Sequence, residues 1–112
     1  MKLEIITKNG FETSKKNSEK VKVEELNEII YFIKTHFKMI KNINTKHSSY
    51  GLKHILERLM NRGVSNGELI TAMLICDFKY KRYGTSGLNC HFNIGNVNEK
   101  RLKEVIQIKK AM

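Results

Sequence analysis

Between Ser48 and Ile94 the spacing of apolar residues changes period, and that change narrows the possible folds more than any other feature of the chain. Leu52, Ile55, Leu56, Leu59 and Met60 recur at three- and four-residue steps, so they share one face of a helix. After Asn61-Arg62-Gly63 a second helix is predicted, with Leu69, Ile70, Met73 and Leu74 as its buried stripe. From Phe78 the period becomes two. Phe78 and Tyr80 face one way, and Lys79 and Lys81 the other. On the return, Leu88, Cys90, Phe92 and Ile94 share the inner face, with Asn89, His91 and Asn93 on the outer one. A Gly84-Thr85-Ser86-Gly87 loop joins the two runs, as a hairpin requires.

Local signals agree with this order. Ser48 or Ser49 can cap the first helix, and Gly63 is placed to close it in a left-handed conformation. Ser65-Asn-Gly-Glu68 has the spacing of a capping box, in which serine and glutamate side chains each bond the other's backbone amide. A connection of only about four residues makes the two helices cross steeply over a shared core. Helix, tight turn, helix and basic hairpin is the order of a helix-turn-helix with a wing.

The flanks extend that body. Lys2 to Lys8 alternates, and Asn9-Gly10 before Phe11-Glu-Thr-Ser signals a hairpin. Its second arm offers little to bury beyond Phe11, so it is expected to pack on the helical body. Lys15 to Lys20 carries no apolar residue and reads as a linker. A long helix is predicted from about Val23 to Lys41, striped by Leu26, Ile29, Ile30, Ile33, Phe37 and Ile40. Glu24, Glu25 and Glu28 at its start and Lys34, Lys38 and Lys41 at its end complement the helix dipole. A loop from Asn42 to His47 follows. After the wing, Gly95-Asn96 introduces a last helix, with Asn96 as cap and Glu99 three residues on. Leu102, Val105 and Ile106 face inward there, and Lys100, Arg101, Lys103, Lys109 and Lys110 outward. This helix either closes the core or reaches a second subunit, which would make a homodimer. The expected fold is therefore one α+β domain over residues 1–112, a small winged-helix-like body. It divides into an N-terminal hairpin and linker (1–20), a long helix (21–45), helix-turn-helix and wing (46–94) and a C-terminal amphipathic helix (95–112).

Charge then points to a partner. Lysine and arginine number 21 against 11 acids, a net charge of +10, as expected for a domain that binds a polyanion. No acid occurs between Glu28 and Glu57, a window holding Lys34, Lys38, Lys41, Lys46 and Lys53 besides His36, His47 and His54. Lys79, Lys81 and Arg82 on the wing suit a phosphate backbone, or else guard a strand edge against aggregation.

Other functions find less support. Cys76 and Cys90 are too few for a disulfide framework and fall at inward positions, and no close-spaced ligand pair suggests a metal. There is no glycine-rich phosphate loop, nucleophile elbow or His-x-x-x-His pattern, and helix capping accounts for Glu68. A non-enzymatic protein without cofactor is expected. No long apolar run follows Met1 and none approaches the length of a membrane span, so a cytoplasmic protein with no membrane partner is expected.

The second helix complicates simple DNA reading. Its expected exposed positions are Asn66, Glu68, Thr71, Ala72 and Ile75. Asn66 and Thr71 could read base edges, and Ala72 or Ile75 could touch a thymine methyl. Yet Asn66 to Asp77 contains no lysine or arginine and two acids, while Lys46, Lys53, Arg58, Arg62, Lys79, Lys81 and Arg82 surround it in sequence.

Four segments carry a resemblance: Lys46-His-Ser-Ser-Tyr-Gly-Leu-Lys-His54, Val64-Ser-Asn-Gly-Glu-Leu-Ile-Thr-Ala-Met-Leu74, Phe78-Lys-Tyr-Lys-Arg-Tyr-Gly84 and Asn89-Cys-His-Phe-Asn93. Together they resemble a short winged-helix-like module of phage, plasmid and integrative-element proteins of Gram-positive bacteria, over roughly half of the chain. The resemblance implies a regulator or part of a replication protein, in a setting that also includes small anti-CRISPR inhibitors. It singles out Lys46, His47, Ser49, Tyr50, Lys53, Ser65, Asn66, Thr71, Lys79, Lys81 and Arg82, with Ser49 and Tyr50 equally readable as cap and core. Two functions follow. One is a DNA-binding regulator. The other is an inhibitor that docks on a host nucleic-acid-handling protein such as a Cas nuclease.

Overall fold

The computed structural model describes residues 5–12, 20–82 and 87–111. The predicted strand start at 2–4, linker residues 13–19 and wing-loop residues 83–86 lie outside the described residues. In chain order the elements are strands β1 (Ile5–Thr7) and β2 (Gly10–Glu12), a 3-10 turn (Val23–Glu25), helix α1 (Asn27–His36), strand β3 (Met39–Ser48), helices α2 (Ser49–Met60) and α3 (Asn66–Ile75), strands β4 (Tyr80–Lys81) and β5 (His91–Ile94), and helix α4 (Glu99–Ala111). β1 and β2 form an antiparallel hairpin. The other strands form an antiparallel sheet in the order β3-β5-β4. Among the described residues this is an α+β domain of four α-helices and a small sheet, built on one apolar core.

α3 explains the arrangement. It runs Leu69-Ile-Thr-Ala-Met-Leu-Ile75 with almost no polar face, and a helix apolar on all sides must be covered on all sides. Leu69, Ile70, Ala72 and Met73 are fully buried, with α1 and α2 on one side. The β1-β2 hairpin covers the other. The Gly67 amide donates to the Lys8 carbonyl (3.1 Å), and the Asn66 side chain donates to the Asn9 carbonyl (2.9 Å). From the hairpin, Phe11 reaches on to the wing: its amide donates to Leu88 O (2.9 Å) and its ring stacks on Tyr80 at 5.3 Å. The hairpin thus packs on the helical body, filling the space between α3 and the wing.

Its turn differs by one residue from the sequence expectation. Lys8 and Asn9 form the loop, while Gly10 pairs with Thr7 in the ladder. Gly10 has φ of +122°, and a side chain there would collide with Leu88 O and the Asn66 amide.

The helix signals within 48–75 match the structure closely. Ser48 caps α2 by accepting from the Gly51 amide (3.1 Å), and both bonds of the Ser65–Glu68 capping box are present. Asn61, however, takes the left-handed position at the end of α2 (φ 54°, ψ 47°), where Gly63 was expected. Asparagine tolerates that conformation, and the chain uses it one residue past the helix. α4 likewise starts later than expected, with Asn98 Oδ1 accepting from the Arg101 amide (3.1 Å). Asn96, the expected cap, accepts instead from Asn44 Nδ2 (3.0 Å).

The larger correction concerns residues 37–48. The predicted helix from Val23 to Lys41 becomes a 3-10 turn and α1, and it ends at His36. Phe37 is extended, and the expected loop 42–47 belongs to β3. The three-to-four spacing persists to Ile40 by coincidence, since Ile40 is exposed. β5 decides the matter by needing a neighbour on its open side. Gly95 N donates to Lys38 O (2.7 Å), Asn93 Nδ2 to Ile40 O (2.9 Å) and Asn44 Nδ2 to Ile94 O (2.9 Å). Ten residues of β3 face only four of β5, and two register shifts take up the difference.

Replacing Gly67 by alanine tests the hairpin seat. A methyl there would overlap the Thr7 carbonyl, although alanine suits a helix better than glycine. Gly67→Ala is expected to cost about 1–3 kcal/mol in thermal or urea unfolding. Faster amide exchange in β1 and β2 should accompany that loss. Unchanged or increased stability would contradict this packing.

Candidate nucleic-acid interface

The side chains singled out from the sequence divide into three groups. Ser49, Ser65 and Asn66 hold the fold together. Ser49 is buried, its amide donating to Cys90 O (2.7 Å) and its Oγ accepting from the Cys90 amide (3.2 Å), so it ties the start of α2 to β5. Ser65 caps α3. Asn66 is only 6% exposed and anchors the hairpin turn. The expectation that Asn66, Glu68 and Ala72 lie exposed on α3 is reversed, because the hairpin and core cover them. Thr71 is half-buried, and Ile75 alone of that expected face is exposed.

The second group lies on the sheet. Lys46 is exposed on β3, and Lys79 and Lys81 are exposed at the start of the wing. The wing backbone is fixed at this point. Asn93 Oδ1 accepts from the Lys79 amide (2.7 Å), while the Asn93 amide donates to Lys79 O (3.1 Å). Asn93 is therefore buried, contrary to the alternation expected of β5, and its amide links both neighbouring strands. Arg82 does not extend from the tip. It lies with its guanidinium 4.7 Å from the Phe11 ring and donates to Gly87 O (2.6 Å), closing the base of the wing. Tyr80 and Leu88, read as inward-facing, are substantially exposed. Lys38 and Lys41 add exposed charge along the same β3 edge.

The third group is a cleft. Tyr50 and Lys53 on α2 meet Ser65 and Asn66 at the start of α3, the hairpin turn at Lys8-Asn9, and Leu88-Asn89 ahead of β5. Tyr50 is 52% exposed. Lys53 Nζ lies 5.5 Å from the Tyr50 ring centroid and pairs with Glu57 (3.2 Å). Glu57 also accepts from His54 Nδ1 (3.1 Å) and from the Val64 amide (3.1 Å), which fixes the turn between α2 and α3. Burial opposes its ionisation, but the Val64 amide, Lys53 and His54 outweigh burial, and its carboxyl titrates below the usual range. No sequence signal marked Asn89 or Lys8 for this cleft. The docked hairpin brings Lys8 there, and the Ser49–Cys90 bonds set Asn89 beside Tyr50.

Both thiols are held protonated. Burial raises Cys90 to about 12, and burial likewise raises Cys76. Among the described residues no three His, Cys, Asp or Glu side chains group as a metal site, and no helix is long and apolar enough to cross a membrane.

His47 does structural work as well. Its Nε2 accepts from the Val97 amide (3.3 Å) just ahead of α4, an acceptor role that needs the neutral ring. Burial and then Lys46 lower its pKa from 6.5, and burial and then Lys109 of α4 lower that of His36. A histidine whose folded pKa is depressed favours folding above its unfolded value, and that contribution fades as pH falls toward the folded one. Attachment of α4 should therefore loosen as pH drops below about 6.5, while the bidentate Arg58–Glu99 pair (2.7 and 2.9 Å) still holds the first turn. The protection factors of the Val97 and α4 amides, taken relative to the intrinsic exchange rate at each pH, should fall across that range, and less so in His47→Gln. A pH-independent α4 would contradict the assignment. The chain matches no protein-family model, no curated protein sequence and no solved structure.

Proposed function

We propose that this is a non-catalytic nucleic-acid-binding protein of winged-helix type, with DNA its favoured partner, that grips phosphates with its sheet instead of reading bases with α3. One observation carries the reading. Residues 37–48 and 78–98, which supply the three strands and the wing, contain Lys38, Lys41, Lys46, Lys79, Lys81 and Arg82 and no aspartate or glutamate. The acids lie outside these two segments, chiefly at the 3-10 turn, on the helices and in the N-terminal twenty residues, with Asp77 immediately ahead of the second segment. A solvated face of mixed sign would not separate charge this way.

The topology supports the same reading. The order α1-β3-α2-α3-β4-β5, with the early strand beside the last, is the order that the winged-helix reading calls for, and the short link between α2 and α3 suits a helix-turn-helix. In the usual docking the second helix of such a pair enters the major groove. Here the hairpin occupies the outer side of α3, so phosphate contact dominates and sequence preference is weak.

That filled groove also favours a second reading, in which the basic sheet docks on a host nuclease and blocks its nucleic-acid channel. A stoichiometric complex with such a nuclease, together with no duplex binding at low salt, would select it.

Fluorescence anisotropy on duplex DNA tests the first reading. With on the order of four phosphates neutralised, affinity should fall roughly a hundredfold between about 50 and about 200 mM salt. Lys79→Ala/Lys81→Ala should weaken native upstream and scrambled DNA alike and lower the salt slope by about two. Absence of binding at low salt, or binding indifferent to both lysines, would overturn it.

A further inference from the structure

We infer that the groove between α1 and α4 docks an acidic amphipathic helix of a protein partner. The inference is independent of the nucleic-acid reading, because the groove is lined by helices and uses none of the sheet lysines.

The walls set the shape of the occupant. Glu28, Tyr31, Phe32, Thr35 and His36 recur at three- and four-residue steps, so one stripe of α1 forms the first wall. Ile106, Lys109 and Lys110 repeat that spacing on α4, and Leu59 and Met60 at the end of α2 complete the lining. Tyr31 is 73% exposed, Met60 and Ile106 are half-buried, and Phe32 and Leu59 are buried. None of the described side chains of α4 is fully buried, so its inner face still has apolar surface to cover. The groove holds about 390 Å³, room for a few apolar side chains and not for a whole helix. From Glu28 to His36 the stripe extends roughly 12 Å, close to the span of anchors at i, i+4 and i+7 on a partner helix. An extended strand fits less well, because helical walls offer it no unpaired backbone to add to.

Charge selects the sign of the partner. Arg62 holds Glu28 at one end of the α1 stripe (3.1 Å). Lys109 and Lys110 are exposed at the groove and have no carboxylate partner among the described residues. Burial and then Lys109 lower the pKa of His36, whose ring packs against Phe32 at 4.6 Å, so the Lys109 charge reaches the α1 wall. Carboxylates beside the apolar stripe of a partner helix answer these lysines. A second copy of this chain brings a net charge of +10 to them instead. A flat anionic bilayer meets the lysines but does not reach the buried Phe32 and Leu59, and a nucleic-acid backbone has no apolar side chain to fill the groove.

Selection from a displayed library of helical peptides tests the site, with the full chain as bait and its Tyr31→Ser variant as counter-selection. Both chains carry the same charge, so general attraction of acidic peptides to a basic protein cancels. Enriched sequences should carry leucine, isoleucine or phenylalanine at i, i+4 and i+7, with aspartate or glutamate beside them. The best of these peptides, titrated into the full chain, should saturably shift the Tyr31, Thr35, Ile106 and Lys109 amides. Its affinity should drop about tenfold or more in Tyr31→Ser and in Lys109→Glu/Lys110→Glu. The same peptide with lysine in place of its acids should prefer the charge-reversed chain. All three substituted side chains are exposed, and melting temperatures close to that of the unaltered chain check that the variants fold. Enrichment of basic or uncharged sequences, no enrichment over Tyr31→Ser, shifts outside the groove, or indifference to the charge reversal would each overturn the assignment. So would the same shifts produced by self-association of the chain or by phosphatidylglycerol vesicles.

Discussion

A helix with no polar side has to be enclosed, and the enclosure of α3 governs the rest of this molecule. The core supplies part of it through α1 and α2, and the hairpin supplies the remainder. Close approach is possible because residue 67 is glycine and Asn66 offers its amide to the hairpin backbone at the very start of the helix. Phe11 then extends the contact to the wing, between the Tyr80 ring and the Arg82 guanidinium. Hairpin, α3 and wing are thus one packed unit, and the groove that a helix-turn-helix would present to DNA is filled by the chain itself.

This has consequences for charge. With α3 largely covered and without lysine or arginine, the exposed cations lie on the β3 edge, at the start of the wing and along α4, and the sheet strands carry no carboxylate to oppose them. Four of the acids in the helices are already engaged: Glu28 with Arg62, Glu57 with Lys53 and His54, Glu68 with the Ser65 amide, and Glu99 with Arg58. Exposed pairs of this kind add little stability, but they leave the sheet as the surface of single sign. The same hairpin that covers α3 supplies one wall of the cleft at Tyr50, through Lys8 and Asn9.

Much of this was legible in the residues. The stripe from Leu52 to Met60, the Ser65–Glu68 box and the inward Cys90, Phe92 and Ile94 are local patterns, and local patterns set those elements. What escaped was set by distant partners. Nothing near Ile40 says that Asn93 and Gly95 will claim its strand, so a helical spacing that ran on by chance suggested a longer helix. The caps at Asn61 and Asn98 each lay within two residues of the expected position, where several asparagines and glycines could serve. The cover on α3 had a signal in the sequence: an unbroken Leu-Ile-Thr-Ala-Met-Leu-Ile run without lysine or arginine, behind a glycine at the second helical position. That pattern is better suited to burial against backbone than to exposure. The cleft had no such signal, because its walls come from four separate segments.

The most direct test of the account is an amide-resolved NMR map of the full chain as duplex DNA is added at low salt. The largest shifts should fall at Lys38, Lys41, Lys46, Lys79 and Lys81 and their neighbours, with Leu69 to Ile75 and the ladder of the hairpin unmoved. Shifts concentrated along α3, with the hairpin released from Gly67, would show that the helix is uncovered to read DNA and would contradict the central claim.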